Sequence, residues 1–178
     1  SGNAGDVSGG TGDVSDNNGG TGDVSGPDSE VSVSGNDIVV YGAAATATGT
    51  LTVEGNSGSY SYDAEIDVIT VKNGAELTFH SAKGYGAKNP SKTRIFVEKD
   101  AKATLTLDGV YINVSDKAAS PLEIAKNSVG AVSVVLEGSN ALTAGKNSAG
   151  IQKNGTADGT LTISGSGTLT AQGGAFGA

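Results

Sequence analysis

The sequence predicts an all-β fold, a right-handed parallel β-helix (β-solenoid) of about 27 residues per coil with three short strands in each. Three observations carry that expectation. A Lys-Asn or Lys-Asp step stands at Lys72-Asn73, Lys99-Asp100, Lys126-Asn127 and Lys153-Asn154, a constant interval of 27. Two apolar columns keep the same phase: Val68, Ile95, Leu122 and Ala149, then, two positions on, Thr70, Val97, Ile124 and Ile151. A repeat of that length with columns two positions apart is the pattern of one strand per turn of a solenoid. The composition agrees, with 29 Gly, three Phe, five Tyr and no Trp, Met or Cys. A thin column of Val, Ile, Leu, Thr and Ala can be filled without large side chains.

Residues 1–30 are of low complexity. Gly-Asp-Val-Ser recurs at 5–8, 12–15 and 22–25 among Gly, Thr and Asn. Isolated Val residues in such a stretch bury too little apolar area to offset backbone entropy, so a flexible acidic linker is expected. It holds Asp6, Asp13, Asp16, Asp23, Asp28 and Glu30 and no Lys or Arg, which is most of the formal net charge of −8. The Asp spacing does not match calcium-binding nonapeptide repeats, which need Gly-Gly-x-Gly-x-Asp at constant intervals.

Residues 31–178 form the expected solenoid domain. Period-two alternation begins at Val31-Ser-Val33 and Ile38-Val-Val40-Tyr41. One strand family lies at 51–55 and then, after each Lys-Asn or Lys-Asp step, at 77–81, 105–109, 134–138 and 161–165, each closing on Gly or a turn. Another family occupies 59–62, 111–114, 141–144 and 168–171, and the coil around Pro90 carries the polar loop 85–93 in its place. Five to six coils stacked about 4.8 Å apart would give a rod on the order of 25 Å. At the corners, Asn73, Asp100, Asn127 and Asn154 are expected to take the left-handed conformation and to stack as an amide ladder. The last residues begin a new strand, with Phe176 in the apolar column, so an excerpt of a longer solenoid is expected, and Ser1 in place of Met points to a processed or excised chain.

These residues resemble the carbohydrate-binding right-handed β-helix domains of secreted and surface proteins from anaerobic Gram-positive bacteria. The phrases that carry the likeness are Thr104-Leu-Thr-Leu-Asp-Gly-Val110, Val135-Leu-Glu-Gly-Ser-Asn-Ala-Leu-Thr143, Ala149-Gly-Ile151 and residues 159–174. The resemblance covers about residues 30–178 and implies an extracellular, non-catalytic domain that binds polysaccharide, on a fold shared with pectin-degrading enzymes. Its motifs are coil motifs, and no binding residue is carried over from it.

The chemistry is sparse. Without the linker, 13 acidic and 11 basic residues nearly balance, so no broad basic face invites nucleic acid. No run of about 18 apolar residues marks a membrane span. Absence of Cys excludes disulfides and thiolate metal sites. His80 is the lone histidine and Arg94 the lone arginine, which leaves little for a polysaccharide lyase, the third and least supported reading. Asp63, Glu65 and Asp67 alternate and would share one strand face, a candidate Ca²⁺ site, with solvated carboxylates the simpler account. No other cofactor is expected.

The candidate ligand-binding residues are Lys72, Lys99, Lys126 and Lys153, a ladder matching the spaced anions of an acidic glycan, with Tyr60 and Tyr62 as a small stacking platform. A solvated lysine corner and tyrosines packed on a neighbouring coil are the plain alternatives. Ice binding is disfavoured, because Ser133 and Val135 interrupt the Thr array. The expected function is an extracellular or cell-surface structural and adhesive module with a capacity for polysaccharide. The alternative is a stalk or filament subunit that assembles end to end through solenoid edges.

Overall fold

The computed structural model describes residues 31–34, 37–40 and 46–175, and the segment 1–30, Tyr41 and Phe176 lie outside the described residues. Strands β1 (Val31–Ser34) and β2 (Asp37–Val40) pair antiparallel as a hairpin. The sequence reading places this alternating segment at the start of the solenoid domain, and in the structure its two strands pair with each other rather than with a coil. Strands β3 (Thr46–Thr48), β4 (Leu51–Gly55) and β5 (Tyr60–Asp63) follow.

From β6 (Val68–Val71) onward the chain winds as a parallel solenoid of about 4 turns, with coils of about 29 residues. One face stacks β6, β8 (Arg94–Val97), β11 (Leu122–Ile124) and β14 (Ile151–Lys153). A second stacks β7 (Ala75–Ser81), β9 (Ala103–Asp108), β12 (Ala131–Glu137) and β15 (Thr160–Gly165). A third stacks β10 (Tyr111–Asn113), β13 (Ser139–Thr143) and β16 (Thr168–Gln172). The first coil contributes only Ser91 to this third face, bridging parallel to Ile112, where the polar loop around Pro90 replaces a strand.

The register differs from the 27-residue column. Ile69, Ile95, Leu122 and Ile151 are in line, and so are Val71, Val97, Ile124 and Lys153. The interval of 27 holds from β8 to β11 alone. Between β6 and β8 it is one shorter, and between β11 and β14 two longer. Register follows the inward face, because a one-residue slip sends every side chain to the other side of the sheet. Ile69 and Val71 therefore form the core columns, Val68 being buried outside the core cluster, and Ile151 takes the position expected of Ala149.

Leu77, Leu105 and Val134 form a fully enclosed column on the second face, beside Phe79, Leu107 and Leu136. Asn140 is buried at the turn into the third face. Its Oδ1 accepts from the Val110 N–H at 2.9 Å and its amide donates to the Glu137 carbonyl at 2.8 Å, so the corner is satisfied rather than orphaned.

The two ends are unlike. At the N-terminal end the layer β4–β5 runs in the reverse direction: β4 is antiparallel to β7 and β5 antiparallel to β6. The sequence placed residues 59–62 on the third face and 51–55 in a parallel coil. A tight turn over Ala64–Asp67 causes the reversal. The Asp63 carboxylate accepts from the N–H groups of Glu65 (2.9 Å) and Ile66 (3.3 Å), and Asp67 is left-handed at φ 55°. A buried hydroxyl cluster closes this end, with Thr50 Oγ1 2.6 Å from Ser91 Oγ and 2.8 Å from Thr93 Oγ1. At the C-terminal end β14, β15 and β16 have a partner on one side only among the described residues. There Ile151, Leu161 and Leu169 are half-buried and Ile163 is 48% exposed.

Candidate functional site

The corner after the first face concentrates the most regular chemistry. Asn73 Oδ1 accepts from the Lys102 N–H at 2.9 Å, Asp100 Oδ1 from the Val129 N–H at 2.9 Å, and Asn127 Oδ1 from the Thr156 N–H at 3.3 Å. Each bond spans 29 residues, one coil to the next. The ladder is side chain to backbone, not the amide stack expected from the sequence, and that is why Asp100 fits it: only an acceptor is required. Left-handed backbone falls on Asp100 (φ 62°) and Asn127 (φ 56°), as expected. It does not fall on Asn73 or Asn154. There a glycine follows, and Gly74 (φ 78°) and Gly155 (φ 107°) take the positive φ at no steric cost.

The lysine ladder is not assembled. Lys72 follows Val71, which is paired with Val97, so its neighbour along the corner is Glu98 rather than Lys99. Lys72 Nζ donates to the Gly58 carbonyl at 3.3 Å. Lys153 lies inside β14 opposite Ile124 and donates to the Ala157 carbonyl at 3.2 Å. Only Lys99 and Lys126 stand in register, two positions beyond Val97 and Ile124. The interval that marked the period does not coincide with the pitch of the coils, so a periodic pattern along the chain becomes a staggered one in space.

Tyr60 and Tyr62 also do other work. They pair with Val71 and Ile69 in the reverse layer, and Tyr62 is 37% exposed. Tyr60 packs on the core, and the Tyr62 hydroxyl donates to Asp67 Oδ1 at 3.0 Å. Partial burial first, and then the Asp67 carboxylate, pushes the Tyr62 hydroxyl above its ordinary range. An aromatic with a polar tip suits the last layer of a core, where one end is apolar and the other wet. Asp63, Glu65 and Asp67 sit at the turn rather than along one strand face, and two of their carboxylates are engaged as above. Among the described residues no group of three His, Asp or Glu side chains is placed to hold a metal ion.

The outward side of the second face carries two features. Its hydroxyls form columns: Thr104, Ser133 and Thr162 follow Glu76, and Thr78 and Thr106 lead through Val135 to Ser164. Beside them His80 faces outward, as alternation from Phe79 predicts, but it is engaged. Its Nε2 is 3.4 Å from Glu54 Oε1 and its Nδ1 3.5 Å from Asp108 Oδ2. It links the reverse layer to the second coil. Residues 54, 80 and 108 hold the same place in the strand family 51–55, 77–81 and 105–109, and His80 meets Glu54 although the reversed β4 puts Thr52 directly opposite it.

Two further ion pairs bind coil to coil. Arg94 Nη2 is 2.8 Å from Glu123 Oε2, with its Nε donating to the Ser120 carbonyl at 2.8 Å. Lys92 Nζ is 2.8 Å from Asp116 Oδ1, tying the loop around Pro90 to the corner after β10. The Lys92 hydrogen bond holds the Asp116 carboxyl below its ordinary range. A depressed carboxyl stabilises the fold above its unfolded pKa, and that contribution disappears as pH falls through the folded pKa. A carboxyl NMR titration should place the Asp116 midpoint below the usual Asp value in the native chain and return it toward that value in Lys92→Met. An unchanged midpoint would mean that the pair is not formed in solution. No protein-family model matches the chain, and neither a curated protein nor a solved structure shows significant similarity to it.

Proposed function

We propose that this chain is a non-catalytic structural module of a secreted or cell-surface protein, a stiff spacer. The observation that supports it is the 29-residue corner ladder. It joins successive coils through side-chain bonds added to the strand pairing, and it uses polar groups for cohesion between coils. The ion pairs Arg94–Glu123 and Lys92–Asp116 act in the same direction. A fold alone does not give function, and here the engaged side chains, not the solenoid, support the reading.

A second reading, adhesion to polysaccharide, is favoured by the hydroxyl columns on the outward second face and by the likeness to carbohydrate-binding β-helix domains. The site then lies on Thr104, Thr106, Ser133, Thr162 and Ser164 rather than on the lysines and tyrosines. Passing the dilute chain over neutral and acidic polysaccharide columns, with an assay for new reducing ends, separates these readings. The spacer reading expects elution with an inert protein and no new ends. Retention that is lost in Thr104→Val/Thr106→Val would favour adhesion, and new reducing ends would overturn both.

A further inference from the structure

We infer that the Asp-rich segment 1–30 of this chain docks by charge on one corner of its own solenoid, the corner that leads from the third face back to the first. The inference does not depend on the spacer reading. It gives a partner to a motif which that reading leaves unused, the Gly-Asp-Val-Ser repeated at 5–8, 12–15 and 22–25.

Three connections form the corner: 82–93 between β7 and β8, 114–121 between β10 and β11, and 144–150 between β13 and β14. They are bonded coil to coil. The Asn113 N–H donates to the Ser91 carbonyl at 2.9 Å, and the Gly145 N–H to the Ala119 carbonyl at 2.9 Å. These connections carry Lys83, Lys88, Lys92, Lys117 and Lys146, and their one acidic residue, Asp116, is already paired with Lys92. Lys83, Lys88 and Lys146 are exposed and make no ion pair among the described residues.

The rest of the solenoid has the opposite balance. Within 46–175 but outside these connections, eleven Asp and Glu stand against six Lys and Arg, and the corner after the first face sets Glu98 and Asp100 beside its lysines. An anionic chain is therefore attracted to one corner and repelled from the remaining surface.

Segment 1–30 is such a chain, with Asp6, Asp13, Asp16, Asp23, Asp28 and Glu30 and no cation. It is also tethered close by. The turn between β3 and β4, where the chain enters the solenoid, touches the first of the three connections. There the Ala82 N–H donates to the Thr50 carbonyl at 3.2 Å, and Thr50 Oγ1 is 2.6 Å from Ser91 Oγ. A Gly-rich chain of thirty residues reaches about 30 Å, roughly twice the 14 Å or so covered by three inter-coil steps. Such a tether holds the carboxylates at an effective concentration on the order of millimolar. Exposed ion pairs worth about 1 kcal/mol or less each then suffice, because several form along one segment. A second copy of the chain has no such tether.

Paramagnetic broadening in NMR spectra of the full chain tests the dock. The chain has no Cys, so Ser15→Cys takes a single nitroxide between Asp13 and Asp16. In dilute buffer the label should broaden the backbone amides of the three connections more than those of the second face. At 0.5 M salt, where the Debye length is about 4 Å, at least about half of that broadening should disappear. Lys83→Gln/Lys88→Gln/Lys146→Gln, at exposed positions and with an unchanged circular dichroism spectrum, should remove a similar share in dilute buffer. Broadening spread evenly over all faces, or left in place by both salt and the triple variant, would overturn the dock. Mixing spin-labelled chains with isotope-labelled chains that carry no spin label identifies the donor of the segment. Equal broadening in that mixture would assign the corner to a second copy and overturn the intramolecular contact. None of these results touches the spacer reading.

Discussion

Replacing Leu105 with Ala should cost about 3–4 kcal/mol of unfolding free energy, whereas Leu161→Ala should cost about 1 kcal/mol or less. Both residues point inward from the second face. Leu105 lies on β9 between Leu77 and Val134 and has no exposed surface, while Leu161 lies on the terminal β15 and is half-buried. In a globular core the cost of a cavity varies irregularly with position. In a solenoid it should vary with distance from an open end, because each coil is supported only by its neighbours. Urea unfolding followed by circular dichroism and by Tyr fluorescence measures the difference. None of the tyrosines lies beyond β10, so their fluorescence reports on the N-terminal half, and transitions that coincide with the circular dichroism in the native chain would show that this half unfolds together with the rest. Equal losses in the two variants would mean that the terminal column is covered in solution.

The sequence carried the class of the fold, the three-strand coil and the inward alternation. Each of these follows from local chemistry: period two in Val, Ile, Leu and Thr, and Gly or Asn at the corners. The pitch was less accessible. The Lys-Asn step repeats at 27 while the strands repeat at about 29, because register is chosen by which side chains are buried and the corner tolerates one or two residues of slack. The lysines keep the interval of the chain rather than the register of the buried side chains, so they do not stack as a ladder. The reversal at residues 64–67 was also hidden. An Asp-x-x-x-Asp turn is a weak local signal, yet it decides that Tyr60 and Tyr62 pair with Val71 and Ile69 and that Tyr60 packs on the core. The pairing of Arg94 with Glu123 does not follow from register, since Glu123 stands opposite Phe96 and the guanidinium reaches it diagonally.

The two functions of the corner residue can be separated by the sign of a glycine substitution. At position 127 Asn both accepts the Thr156 N–H and holds φ at 56°. Alanine there forfeits the bond, about 1 kcal/mol, and must also adopt the left-handed region, about 1 kcal/mol more. Glycine forfeits only the bond, so Asn127→Gly should be the more stable of the two variants. At position 73 the positive φ belongs to Gly74, and Asn73 contributes its acceptor to the Lys102 N–H. Alanine then loses the bond alone, while glycine loses it and adds backbone entropy of roughly 0.5–1 kcal/mol. The order reverses: Asn73→Ala should be the more stable. Asp100→Asn should be nearly neutral, since the amide oxygen can take over the bond to the Val129 N–H and Asn tolerates φ 62°. Five variants measured by the same denaturant titration therefore test one claim, that the corner is a backbone-capping device whose conformational strain moves to a following glycine when one is present. If Ala and Gly ranked alike at 73 and 127, left-handed strain would have no part in the corner, and its Asn and Asp residues would be selected by the hydrogen bond alone.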